Sequence, residues 1–326
     1  MLKIILFLLL GFAAFVAYRI YAFLRATNAP ILQGQRLCSV TYKPGRKLDI
    51  YQPTQQVHEK TPVLLHFHGG AWLAGTRKSV NNARFTPAFN ALRERGYAII
   101  APNYTLAKVG QSPFPACLED ATDALAWLAQ NADTYGFDLE RVGLMGESAG
   151  AHIAMMTAYR EQDTFSAGHS IDIRYVVDVY GPAAMEALYR DLTPMLTQIN
   201  ERIANWPNLL RRRFNVAEKL FGFNPLAEPE RARQLTETYS PVRYLTASAP
   251  PTLVIHGTAD RLVPVRQSKL LEQQLRTVGA NFELHYLPGV GHSLRGTTPE
   301  QYQQVQRWIV DFVETHTWEN QPVSVH

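Results

Sequence analysis

Arg141-Val142-Gly143-Leu144-Met145-Gly146-Glu147-Ser148-Ala149-Gly150-Ala151-His152 is the stretch on which the reading of this chain turns. The run 141–145 reads as a buried strand and the small and apolar residues over 151–159 as a helix, so one serine stands at a strand-to-helix turn. Gly146-Glu147-Ser148-Ala149-Gly150 fits the pattern G-x-S-x-G, whose physical content is steric. A strained turn lifts the serine hydroxyl clear of the backbone, and small flanking residues let neighbouring chain approach closely. Ser148 is therefore the candidate nucleophile. Five residues of this kind recur by chance on glycine-rich turns, so the reading depends on what surrounds them.

Further buried strands are expected at 62–67, 97–102, 175–180, 252–256 and 282–287. Between them, Leu118, Ala121, Leu125 and Leu128 form one helical stripe, and Tyr302, Val305, Ile309 and Phe312 another. The second helix opens on Thr298-Pro299-Glu300-Gln301, a cap, a proline at the first helical position and a glutamine able to reach back. Strands alternating with helices predict an α/β fold, a mostly parallel sheet covered by helices on both faces. The connection over 181–251 is far longer than the dozen or so residues a crossover needs. Its apolar residues follow helical spacing, so a helical cap insertion is expected at about 182–245.

Three further segments follow such strands. His68-Gly69-Gly70-Ala71-Trp72 comes after 62–67, where backbone N–H groups of Gly70 and Ala71, with that of Ala149, would form an oxyanion hole. His68 is expected to be a structural hydrogen-bonding residue. Asp260 follows 252–256 within His256-Gly257-Thr258-Ala259-Asp260, placed to orient an imidazole. His292 follows 282–287 within Gly289-Val290-Gly291-His292-Ser293, placed to act as the base. The chain order is Ser, Asp, His, and each member stands after its own strand.

With these motifs in order, the chain resembles the carboxylesterases around the hormone-sensitive lipase group, and among them the bacterial feruloyl-esterase-like relatives. The resemblance covers most of 45–315. It also rests on Leu48-Asp49-Ile50-Tyr51, Asn103-Tyr104, Phe114-Pro115-Ala116 ahead of a helix with Asp120, and Tyr239-Ser240-Pro241. It implies the α/β-hydrolase fold and two-step acyl transfer on a small-molecule ester, with Ser148, His292 and Asp260 as triad and no cofactor. Two departures stand out: the loop reads His-Gly-Gly-Ala where many relatives have a third glycine, and Thr105 stands where an arginine often follows the tyrosine. The cap is expected to roof the cleft and restrict substrates to short or medium acyl groups, with Trp72, Trp206 and Phe214 as substrate-binding residues. Two alternatives share these residues: an arylformamidase-like amidase on the same triad, and a catalytically silent membrane-tethered binding protein.

Composition bounds the rest. Of 326 residues, 46% are hydrophobic, which fits a packed core, and the net charge of +4 comes without the sustained basic tracts of a nucleic-acid footprint. Arg211-Arg212-Arg213 reads as a solvated helix face. Cys38 and Cys117 make neither a disulfide framework nor a zinc site, and Cys117 lies in an apolar stretch as a small core residue. No H-E-x-x-H or similar spacing calls for a metal. Residues 4–17 are uninterruptedly apolar between Lys3 and Arg19, and apolar or aromatic residues continue to Leu24. That length suits a membrane anchor, with a cleaved export signal as the alternative and basic residues on both flanks leaving the side open. The expected organisation is an anchor over 1–24, a linker over 25–40 and the catalytic domain over 41–318.

Overall fold

Eight strands lie side by side in one sheet in the computed structural model, which describes residues 35–81, 84–160, 171–203 and 215–318. They are β1 (Arg36–Lys43), β2 (Arg46–Tyr51), β3 (Thr61–Phe67), β4 (Ala98–Pro102), β5 (Phe137–Glu147), β6 (Ile173–Val179), β7 (Thr252–Gly257) and β8 (Phe282–Leu287). Their order in space is β1-β2-β4-β3-β5-β6-β7-β8. The pairs β1/β2 and β2/β4 are antiparallel, and the five pairs from β4/β3 to β7/β8 are parallel.

Alternation along the strands divides the core in two, because successive side chains of a strand point to opposite faces. Val63, Leu65 and Phe67 of β3 join Ala98 and Ile100 of β4 on one face, with helices α2 (Ala116–Gln130) and α4 (Ala149–Tyr159). Leu64, Ile99, Ala101, Val177 and Leu253 join α1 (Thr86–Glu94) and α9 (Pro299–Trp318) on the other. The two expected stripes are the buried faces of α2 and α9, with Tyr302 at the half-buried margin of the latter. Thr298 and Gln301 cap α9 reciprocally, the Gln301 amide donating to Thr298 Oγ1 at 3.2 Å and the Thr298 amide to Gln301 Oε1 at 2.9 Å. Every residue of α4 is buried, which is why it carries no polar face.

The strand sequence reverses direction at β3. From there the chain passes to β4 on one side and to β5 through β8 on the other. Clefts form at such a switch point, beyond the carboxyl ends of the diverging strands. The candidate triad and the oxyanion loop follow carboxyl ends: the loop opening at His68 follows β3, Ser148 follows β5, Asp260 β7 and His292 β8.

Residues 36–40, expected to end a linker, instead form the first half of β1. Its apolar residues Leu37, Val40 and Tyr42 are irregularly spaced because the register shifts between Leu37 and Val40, which hides the alternation that would mark a strand. The place of Thr105 is also explained. Its amide and hydroxyl both donate to Asp120 Oδ2 at 2.6 Å, and Arg46 Nε of β2 donates to the same oxygen at 2.9 Å. A guanidinium from another strand thus anchors the loop. Cys117 is buried and Cys38 exposed, both as free thiols.

Between β6 and β7 stand helices α5 (Met185–Ile203), α6 (Val216–Phe221) and α7 (Pro229–Thr238). Asp191 of α5 accepts from Arg266 at 3.0 Å, and the Leu220 carbonyl accepts from Ser112 Oγ at 2.7 Å, tying this insertion to α8 (Arg266–Val278) and to the loop before α2. Arg211, Arg212, Arg213, Trp206, Phe214 and the apolar run 4–24 lie outside the described residues. Among the described residues no helix is long and apolar enough to cross a membrane.

Candidate active site

Ser148 sits at the junction of β5 and α4 with φ 52° and ψ −121°, a backbone conformation that L-residues adopt only under constraint. The constraint is close packing. A Cβ at Gly150 would fall 2.0 Å from the Phe67 carbonyl oxygen, and one at Gly146 would fall 2.2 Å from the Gly150 carbonyl carbon, so only hydrogen fits at either place. The Ser148 amide donates to the Val179 carbonyl at 2.9 Å, tying the turn to β6.

The same close approach sets the loop after β3 against the turn. Gly70, Ala71 and Trp72 have successive φ values of 125°, 53° and 57°, and the Leu73 and Ala74 amides both donate to the Gly70 carbonyl at 3.0 Å. Among the described residues the amides of Gly70, Ala71 and Ala149 are not engaged in loop or turn hydrogen bonds. His68 stacks on Tyr104 with ring centroids 4.2 Å apart, its Nδ1 meets the Gly69 carbonyl at 2.8 Å, and its own carbonyl accepts from Tyr104 Oη at 2.7 Å. It therefore braces the loop, and burial pushes its pKa down to about 4.

Asp260 and His292 meet across the loops after β7 and β8, His292 Nδ1 donating to Asp260 Oδ2 at 2.7 Å. The other carboxylate oxygen, Oδ1, accepts from the Leu262 and Val263 amides at 2.9 Å each. Burial opposes the charge on Asp260, but the hydrogen bonds from His256, His292 and the Val263 amide outweigh it and hold the carboxyl well below the usual range. His256 Nε2 lies 3.4 Å from Oδ2 and bonds the Val263 carbonyl at 2.8 Å, while its Nδ1 meets Ser268 Oγ at 2.6 Å. The Tyr180 ring meets His292 edge-on at 4.9 Å. Tyr180 directly follows Val179, the residue that receives the Ser148 amide.

Trp72 is 5% exposed and packs edge-on against Phe114 at 5.5 Å and His152 at 5.1 Å, while Phe114 stacks on Tyr239 at 4.6 Å. His152, one turn after Ser148, bonds the Tyr239 carbonyl through Nε2 at 2.7 Å, and burial pushes its pKa down to about 4. Sequence reasoning did not single out His152, His256, Tyr180 or Arg84. Only His256 carried a signal, since it ends a buried strand four residues before the expected acid.

The BD-FAE family model matches residues 48–275. The chain belongs to the BD-FAE family. Among curated relatives it is 26% identical to esterase LipC of Mycobacterium tuberculosis, over 76% of this chain and 57% of that protein. It is 28% identical to the probable carboxylic ester hydrolase LipM of the same organism, over 73% of this chain and 50% of that protein. The chain thus spans about half to three-fifths of the length of these relatives. It is also 26% identical to the isoprenylcysteine alpha-carbonyl methylesterase of Arabidopsis thaliana, over 91% of this chain and 67% of that protein. Among solved structures, a truncated carbohydrate esterase from gut microbiota superposes with a TM-score of 0.66 at 22% identity, covering 90% of this chain and all of that one. Esterase B of Lactobacillus rhamnosis superposes at 0.66 and 19% identity, over 97% and 96% of the two chains. These likenesses establish the α/β-hydrolase fold of this member of the BD-FAE family.

Proposed function

We propose that this BD-FAE family member is a carboxylic-ester hydrolase whose nucleophile is Ser148, general base His292 and orienting acid Asp260. The observation that carries the reading is the strained Ser148 turn, packed against the His68–Trp72 loop, together with a His292 ring that Asp260 holds by Nδ1 at 2.7 Å. In the reaction, Ser148 Oγ attacks the ester carbonyl while His292 Nε2 takes its proton. The tetrahedral oxyanion is met by the amides of Gly70, Ala71 and Ala149. The intermediate collapses as His292 returns the proton to the departing alcohol, leaving an acyl-enzyme that water, deprotonated by the same imidazole, cleaves to the acid. All bonds made and broken are accounted for without a cofactor. The names of the relatives, esterase and carboxylic ester hydrolase, support ester over formamide as substrate class.

The long insertion between β6 and β7 supports a preference for short to medium acyl chains, with Trp206 and Phe214 as substrate contacts. Turnover of p-nitrophenyl esters from acetate to palmitate tests this. Rates that peak at or below about eight carbons are expected, since an apolar pocket discriminates by about 1–3 kcal/mol per methylene. Faster turnover of palmitate, or of N-formylkynurenine over every ester, would contradict it. The apolar length of 4–24 supports a further reading, that this segment holds the protein at a membrane.

A further inference from the structure

Glu147, the residue before Ser148, is 4% exposed, and its carboxylate is shared by two partners from distant parts of the chain. Tyr180 Oη donates to Glu147 Oε2 at 2.7 Å. Arg84 Nη1 binds the same oxygen and also reaches Tyr180 Oη at 3.3 Å. Burial opposes the charge on Glu147, but Arg84 and the hydrogen bonds it receives hold its pKa below the ordinary value, so it stays ionised.

Each end of this cluster touches part of the site. The Glu147 side chain lies against the oxyanion loop, since a Cβ at Gly69 would fall 3.2 Å from Glu147 Cγ. The Tyr180 ring lies edge-on to His292 at 4.9 Å. Tyr180 holds φ 47° without being glycine, and its amide donates to the Ile255 carbonyl of β7 at 2.8 Å. Arg84 is held in turn by its carbonyl, which accepts from Gln306 Nε2 of α9 at 2.9 Å. A buried ion pair is a poor source of stability, because desolvation offsets most of its attraction. A strained backbone beside a reactive imidazole points instead to geometry being held for function.

We propose that Glu147, Tyr180 and Arg84 form a buried brace that positions the His292 ring and the oxyanion loop relative to Ser148. The inference rests on the esterase reading. Glu147 and Tyr180 are positioning residues: the brace makes no bond to substrate and moves no proton. It acts on the transition state, so its loss lowers kcat and leaves KM in place.

The test compares Glu147→Gln, Tyr180→Phe and the double variant with the full-length chain, using p-nitrophenyl butyrate and concentrations of folded enzyme from active-site titration. Tyr180→Phe keeps the ring against His292 and removes only the hydroxyl, and it decides the matter if Glu147→Gln does not fold. Each single change is expected to lower kcat about ten-fold with KM within about two-fold, and the double variant to be no slower than Glu147→Gln alone, as for residues acting through one network. Wild-type kcat in Tyr180→Phe, or losses that multiply in the double variant, would overturn the brace. A wild-type chain inert toward every ester would overturn the esterase reading instead, which separates the two failures.

Discussion

Asp260→Asn is the change whose consequence the geometry specifies most fully. Asp260 Oδ1 accepts from two backbone amides, Leu262 and Val263, at 2.9 Å, while Oδ2 accepts from His292 Nδ1 at 2.7 Å. An asparagine at this place keeps its carbonyl oxygen toward the two amides, since reversing it would set an NH2 group against two N–H donors. The NH2 group then faces His292 and must donate to Nδ1. The imidazole is forced into the tautomer with its proton on Nε2, the nitrogen that should take the Ser148 proton. His256 adds to the penalty, because its Nε2, which bonds the Val263 carbonyl at 2.8 Å, lies 3.4 Å from the same carboxylate oxygen. Loss of the right tautomer costs about four orders of magnitude in kcat where the same arrangement drives acyl transfer, equivalent to about 5 kcal/mol of activation free energy. The assay is kcat and KM for p-nitrophenyl butyrate on purified protein whose circular dichroism matches the parent. A kcat within ten-fold of the parent would refute the reasoning, since it would mean that His292 does not need Asp260 to set its proton.

Stability should fall in mild acid. His66, His68 and His152 are pushed down to about 4 by burial, so between pH 6.5 and 4 the unfolded chain takes up three protons that the folded chain refuses. Asp178, pushed up to about 6 by burial, opposes with one proton below that pH. The net of about two protons lowers the unfolding free energy by up to about 3 kcal/mol per pH unit, and equal denaturant midpoints at pH 7 and 5 would contradict it. Gly150→Ala should give little folded, active protein, because its Cβ would sit 2.0 Å from the Phe67 oxygen. Recovery of parental activity and melting temperature would show that the elbow tolerates a wider approach. The segment 4–24 should keep the full chain in the membrane fraction through alkaline washing, while a chain starting at Ala29 should be soluble with unchanged kcat. Full-length protein in the soluble fraction would count against the anchor.

The candidate triad and the oxyanion loop could be read in the sequence because each follows a buried run. The runs ending at Phe67, Met145, His256 and Leu287 are short, apolar and bounded by glycine-rich loops, and β3, β5, β7 and β8 carry them. Even the capping of α9 could be read from four residues. What was not legible has identifiable causes. β1 is an edge strand with a register shift, so its apolar residues do not alternate. Arg84 and Tyr180 meet Glu147 from 63 and 33 residues away, and no local pattern marks an ion pair closed between the ends of β5 and β6 and the turn before α1. His152 reads as one polar residue in an apolar helix, and only the position of the Tyr239 carbonyl explains it. Trp72, expected at the substrate, is buried and packs edge-on against Phe114 and His152, partners that no local pattern marks.

The central claim is that Ser148 is an activated nucleophile, and mass spectrometry of the protein after reaction with a fluorophosphonate tests it most directly. One adduct is expected, on the peptide carrying Ser148, and it should be absent after Ser148→Ala and strongly slowed after His292→Ala. No adduct on folded protein, or an adduct on another residue that persists in Ser148→Ala, would contradict the account.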